Sequence, residues 1–353
     1  MDVRQAVPDL ASADAAVRRA AVRALHACGD AGSSQAASVL PLLGDPDAEV
    51  RQAAVRLFCS WGEGVVPLLR RVRRDGPGGA RAAALEALAE IGGEAALSAR
   101  DVAALERLVR VKTPEDAPVP MACCFLSWIA VPTGDQSGVM SLLGLSAPRP
   151  VPFAAGVYAA DVDSHGGFDE DPHDALRRVF VTPELAGWTL VVGAWCDPSD
   201  AERADDVLAA CERLSARYGR AQAYWWSAQN DGSAVLVAER GAAVRRFAYI
   251  PGEDTGHLEL GAPLGYEQRR RAELGLPPLV AGRLPAEADE EDEEDEAEDE
   301  WMWELLELAP RLAGELSLDP LSLGPGTPVR GTGVLALTPY GRRMRPPAGA
   351  LRL

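Results

Sequence analysis

No stretch of this chain is long and apolar enough to cross a bilayer. The longest apolar segments, such as Trp188 to Trp195, fall far short of the roughly 18 residues a spanning helix needs, which excludes a helical membrane protein. The amino end, Met-Asp-Val-Arg-Gln, has no basic patch followed by an apolar core, so no secretory signal is read there and the cytoplasm is the expected compartment. Lysine is almost missing, with Lys112 the single one among 35 basic residues. Cysteine is sparse: Cys28, Cys59, Cys123, Cys124, Cys196 and Cys211 show no C-x-x-C pair and no zinc-ligand spacing, and they are expected to be buried thiols. Cys123 and Cys124 are adjacent, and on a strand they would point to opposite faces.

Catalytic signatures are equally scarce. The sequence has no G-x-S-x-G elbow, no G-x-G-x-x-G and no Walker loop, and its four histidines are His26, His165, His173 and His257. No cofactor is expected. The net charge of −18 is concentrated in one place, because twelve of the fourteen residues from Glu287 to Glu300 are acidic. The rest of the chain is only mildly acidic, and residues 1–112 hold nearly equal numbers of acids and bases. This argues against a nucleic-acid partner. Arg70, Arg71, Arg73 and Arg74 are the one basic cluster in that region, at the end of a predicted helix where the dipole favours them.

What the sequence does have is a repeat. Asp14-Ala-Ala-Val17-Arg18-Arg-Ala20-Ala21-Val22 recurs 33 residues on as Asp47-Ala-Glu-Val50-Arg51-Gln-Ala53-Ala54-Val55, and again as Ala80-Arg81-Ala-Ala83-Ala84-Leu85. Apolar residues at helical spacing define one buried face, and Ala20, Ala53 and Ala83 are expected at tight helix contacts. Asp14 and Asp47 stand at N-cap positions, each four residues before an arginine with which it would pair. Gly29, Gly62 and Gly92 would supply the left-handed stops. Return helices are expected over Ser33–Leu43, Glu63–Arg74 and Ser98–Val111, giving an α-solenoid of three helix pairs.

These copies resemble HEAT repeats, in particular the short bacterial subtype found in phycobilin lyases. The resemblance implies a repeat scaffold that holds a protein partner.

The three prolines between Lys112 and Pro120 mark a linker (113–120) after a solenoid domain (1–112). Beyond it the pattern changes to short runs rich in aromatic and β-branched residues: Phe125–Val131, Val179–Thr182, Trp188–Ala194, Gln222–Ser227, Ser233–Glu239 and Ala243–Ile250. Asn230-Asp231-Gly232 and Arg240-Gly241 turn the last three into a meander. A helix from the Ser199 or Asp200 cap to Tyr218 completes an α+β domain (121–280) with an antiparallel sheet and a helix on one face. Val179-Phe-Val-Thr-Pro-Glu-Leu-Ala-Gly-Trp188, with Ser127-Trp128 upstream, resembles a domain of uncharacterised actinobacterial proteins. The arginine-rich composition suits such a GC-rich genome. Residues 281–300 read as an acidic disordered tether, and 301–353 as a short apolar helix (Trp301–Pro310) that docks back, followed by a Gly/Pro/Arg tail.

Two local clusters are candidate sites. Asp161, Asp163 and His165 begin like a calcium loop, but Pro172 occupies the position where the bidentate Glu belongs, so a solvated polar loop is expected and a metal site is the alternative. Tyr224-Trp225-Trp226 could form an aromatic platform, although strand alternation sends at least one face of it into ordinary core. The reading is therefore a non-enzymatic protein-binding or scaffold protein, immunity-like or an adaptor, with a metal-dependent enzyme as the alternative.

Overall fold

The computed structural model describes residues 3–164, 175–229, 231–279 and 296–343. They form two compact units that part between Val111 and Lys112. None of the described helices is long and apolar enough to cross a membrane.

In the first unit a short helix, α1 (Val3–Asp9), precedes three repeats. The first pairs α2 (Ala15–Ala27) with a return made of α3 (Asp30–Ser33), α4 (Ala36–Val39) and a 3-10 turn (Leu40–Gly44). The second pairs α5 (Ala48–Ser60) with α6 (Val66–Asp75), and the third α7 (Gly78–Ala96) with α8 (Ala99–Lys112). The single return helix expected over Ser33–Leu43 is thus broken into pieces. Gly32, Ser33 and Ser34 are poor helix formers, and Pro41 lacks the N–H that a continuous helix would use.

The expected caps are present: the Asp14 carboxylate accepts from the Ala16 N–H at 2.8 Å, and Asp47 from Val50 at 3.0 Å. Gly29 and Gly62 are left-handed, but the third stop falls on Gly93 (φ 51) rather than Gly92. The intrahelical Asp–Arg pairs are replaced by longer reaches, because each capping carboxylate is already used by the backbone. Arg18 forms two hydrogen bonds to Asp45, at 2.7 and 2.8 Å, and donates to the Ser12 and Ala13 carbonyls. Arg51 donates in the same way to Asp45 and Pro46, and Arg81 to Gly76. One register position of the repeat therefore ties each first helix to the loop before it.

Leu25, Val39, Leu43, Val50, Ala54, Phe58, Leu69 and Ala84 form the centre of the solenoid core. Ala53 and Ala83 are buried as expected. Ala20 is exposed, and its neighbour Ala21 is buried instead. α2 is the first of the three repeat helices, and the seven-residue α1 leaves that position uncovered.

The second unit is built on β1 (Phe125–Val131), β2 (Ser146–Pro150), β3 (Arg178–Val181), β4 (Glu184–Leu185), β5 (Thr189–Val192), β6 (Arg220–Ser227), β7 (Ser233–Glu239), β8 (Ala242–Tyr249), β9 (Val329–Arg330) and β10 (Val334–Leu337). Eight strands form one antiparallel sheet in the order β2-β10-β3-β5-β1-β6-β7-β8, while β4 and β9 pair separately. Trp128, Phe180, Leu190, Tyr224, Val235 and Phe247 face α10 (Phe153–Ser164), α13 (Glu296–Leu306) and α14 (Leu308–Leu316). Ile129, Val131, Val179, Val191, Ala223 and Leu236 face α9 (Gln136–Leu142) and α11 (Ala204–Tyr218). The architecture is an α-solenoid followed by an α+β domain with an antiparallel sheet. Helices cover both faces rather than one, because the central strands are apolar on both sides and do not alternate.

Three further expectations are corrected. The Gly/Pro/Arg tail contains β10, which lies inside the sheet between β2 and β3. The tether assigned to 281–300 is helical from Glu296 onward, and 280–295 lie outside the described residues. The single helix expected at Trp301–Pro310 is two helices that part at Glu307. Pro310 is tolerated only because it falls in the first turn of a new helix, α14.

Candidate functional site

A cleft of about 400 Å³ opens in the solenoid between α5, α7 and α8. It is lined by small residues, Ala48, Gly79, Ala82, Ala83 and Ala89, most of them alanines of the repeat. Val55, Leu85, Leu105 and Leu108 add apolar side chains to the lining, and Arg51, Gln52 and Glu86 add polar ones. The Gln52 amide donates to Glu86 at 3.3 Å across neighbouring repeats. Leu105 is buried, whereas Leu108 is 43% and Val111 67% exposed, so α8 offers apolar side chains to the outside of the cleft.

α8 is positioned by polar contacts at its first turn. Asp101 accepts from Arg73 of α6 at 2.6 Å and from the Ser98 hydroxyl at 2.6 Å. Burial alone would raise the Asp101 pKa, but the Ser98 and Arg73 hydrogen bonds outweigh it and hold the carboxyl below its usual value. Arg70 donates to the Ala95 and Ala96 carbonyls at the end of α7, and Arg74 pairs with Asp75 at 3.0 Å. Three of the four arginines in the basic cluster thus have partners within the solenoid.

The candidate metal ligands lie apart from this cleft in sequence and in setting. Asp161 and Asp163 belong to α10, not to a polar loop, and His165 lies outside the described residues, as does His173. The Asp163 carboxylate is held by buried Arg178 through two contacts, Nε to Oδ2 and Nη2 to Oδ1 at 2.9 Å. Asp161 faces Cys123, whose thiol is pushed up to about 12 by burial and by that carboxylate. Among the described residues no three of His, Cys, Asp and Glu converge. His26 bonds to Ser60 at 3.2 Å, and His257 is exposed in a 3-10 turn (Gly256–Leu258) rather than in a strand.

Tyr224 and Trp226 are core residues on one face of β6, with Tyr224 stacked on Trp128 at 4.9 Å, while Trp225 packs on the opposite side. The aromatic run is therefore sheet core. Other buried charges fasten elements together. Arg245, 1% exposed, binds Glu267 at 2.7 and 3.1 Å at the start of α12 (Gly265–Glu273). Arg270 and Arg271 of α12 hold Glu300 and Glu298, each at 3.1 Å, at the first turns of α13, and Arg271 also lies over Trp301. Sequence reasoning missed this basic partner of the acidic run, although Arg269-Arg270-Arg271 stood as a visible signal.

None of the curated proteins compared matches the chain. Residues 36–119, which carry the second and third helix pairs and the cleft between them, match the family model described as HEAT repeats.

Proposed function

We propose that this is a non-enzymatic protein-binding protein in which the cleft between α5, α7 and α8 takes a protein partner, as in an immunity-like protein or an adaptor within an assembly. The observation that carries the reading is the open, small-residue cleft on a HEAT-type array. HEAT repeats generally mediate protein interaction, and a repeat stack presents an extended surface without needing a catalytic centre. The phycobilin lyase subtype of the repeats and the kinship of the second unit with an actinobacterial domain belong to this proposal and add no activity to it. The cytoplasm remains the proposed compartment, and neither nucleic acid nor membrane is a proposed partner.

The alternative is a metal-dependent enzyme using Asp161, Asp163 and His165. The Arg178–Asp163 pair weighs against it, because a ligand carboxylate would have to leave a buried guanidinium. Affinity capture with the full chain and with an Ala82→Arg, Leu108→Asp variant tests the reading. A partner held by the native cleft and lost by the variant supports it. A partner held equally by both, or a stoichiometric metal that disappears in Asp161→Ala and Asp163→Ala, overturns it.

A further inference from the structure

Helix α8 carries its side chains in three stripes. Asp101, Leu105 and Val109, four residues apart, are buried and hold the helix to the solenoid. Leu105 and Leu108 turn toward the cleft and line it. The outward line, at a spacing of four, three and four residues, is Arg100, Ala104, Arg107 and Val111. Arg100 and Arg107 are exposed, Ala104 is half-buried, and Val111 is 67% exposed. Cations and apolar side chains thus alternate along one face, which meets the cleft at Leu108, itself 43% exposed.

The charge on this face is not balanced within the solenoid. Asp101 is taken by Arg73 of α6. Among the described residues Arg100, Arg107 and Arg110 make no ion pair, and Glu106 is the other carboxylate of α8. Arg100 also stands in the first turn of the helix, where the free N–H groups favour an anion and oppose a cation. The fold gains nothing from a base at that position.

We infer that α8 binds an acidic segment of a protein partner, its carboxylates meeting Arg100 and Arg107 and the apolar side chains between them covering Leu108 and Val111. Charge complementarity fixes the sign of the segment, because two exposed guanidinium groups on one line have no carboxylate of their own. The apolar members of the face fix its class. Against a nucleic acid, Ala104, Leu108 and Val111 would face phosphates that cannot bury them, and the net charge of −18 on the chain repels a long polyanion. The inference rests on the cleft reading only in placing the partner's apolar side chains beside Leu108.

The test titrates the full chain with a fluorescein-labelled peptide of glutamates and leucines, with its glutamine counterpart, and with a duplex DNA, all read by fluorescence anisotropy at low salt. The acidic peptide should bind, more weakly as salt is raised, and the glutamine peptide should not. Arg100→Glu with Arg107→Glu should weaken the acidic peptide at least about tenfold. The melting temperature of that variant should stay level or rise, because a carboxylate suits the first turn, and this separates a lost contact from a lost fold. Leu108→Ser should weaken the peptide by less. Ala82→Arg, which obstructs the cleft, reports on the cleft reading: a peptide retained by it and released by the charge-reversed chain supports the acidic face and removes the cleft as its anchor. No binding of the acidic peptide, equal binding of the glutamine peptide, unchanged binding in the charge-reversed chain, or tighter binding of the DNA overturns the inference. If the charge-reversed chain does not fold, Arg100→Gln with Arg107→Gln takes its place, and unchanged binding there overturns the inference in the same way.

Discussion

Replacing Asp45 with alanine should destabilise the solenoid by about 1 to 3 kcal/mol, because it removes a buried carboxylate that accepts charged hydrogen bonds from Arg18 and a backbone bond from Asp47. Asp45 is 6% exposed and accepts both Arg18 hydrogen bonds as well as the Asp47 N–H at 2.9 Å. Burial would raise its pKa, but the Arg18 and Asp47 hydrogen bonds outweigh that and hold the carboxyl below its usual value. A carboxylate depressed in the folded state contributes stability that is complete above its unfolded pKa and is lost as pH falls through the lower folded value. The magnitude sits below that of a fully buried pair because Arg18 keeps the Ser12 and Ala13 carbonyls. Asp45→Ala alone would also lose the Asp47 contact, so the informative measurement is a double-mutant cycle with Arg18→Met, read by amide exchange of α2 and α5. A coupling of about 1.5 kcal/mol or more is expected near pH 7, shrinking below pH 4. Additive single mutants at pH 7 would refute the account and reassign Asp45 to loop capping.

Ala53→Trp should overpack the repeat stack and cost about 1 to 3 kcal/mol or more in a thermal melt, whereas Ala20→Trp, on an exposed position of the same register, should be tolerated. Asp197, pushed up to about 6 by burial against the pull of its Ser199 hydrogen bonds, favours the folded state fully only below its unfolded pKa. That contribution, about 2 to 3 kcal/mol at most, is lost as pH rises through 6, so Asp197→Asn should exceed the native chain in stability at pH 7.5 and not at pH 4. A constant difference across that range would count against the shift. Deleting 287–295 should leave the melting temperature nearly unchanged, while Glu298→Gln with Glu300→Gln should lower it by a degree or two through Arg270 and Arg271. The reverse order would place the important contacts in the deleted stretch.

What the sequence made legible follows from the range of the interactions. Asp47, Gly62 and Ala53 could be assigned because a cap, a stop and a helix contact are decided within a few residues, and the repeat states each at least twice. The sheet was readable as strands, since Ser233–Glu239 and Ala242–Tyr249 are joined by a two-residue turn. β10 was not readable, because four residues, Val334–Leu337, gain their meaning from Val179 and Arg149, which lie far upstream. α10 was hidden for a different reason: its polar end, Asp161 to Ser164, reads as a loop until Arg178 is placed beside Asp163. The cleft combines both difficulties. Its alanine lining was visible in the repeat, but Leu105 and Leu108 matter only through the position α8 adopts, and the Arg73–Asp101 pair that helps set that position joins residues with no repeat signal of their own. A cleft on a solenoid is thus legible as a class from periodicity, while its location depends on the non-repeating contacts that end the array.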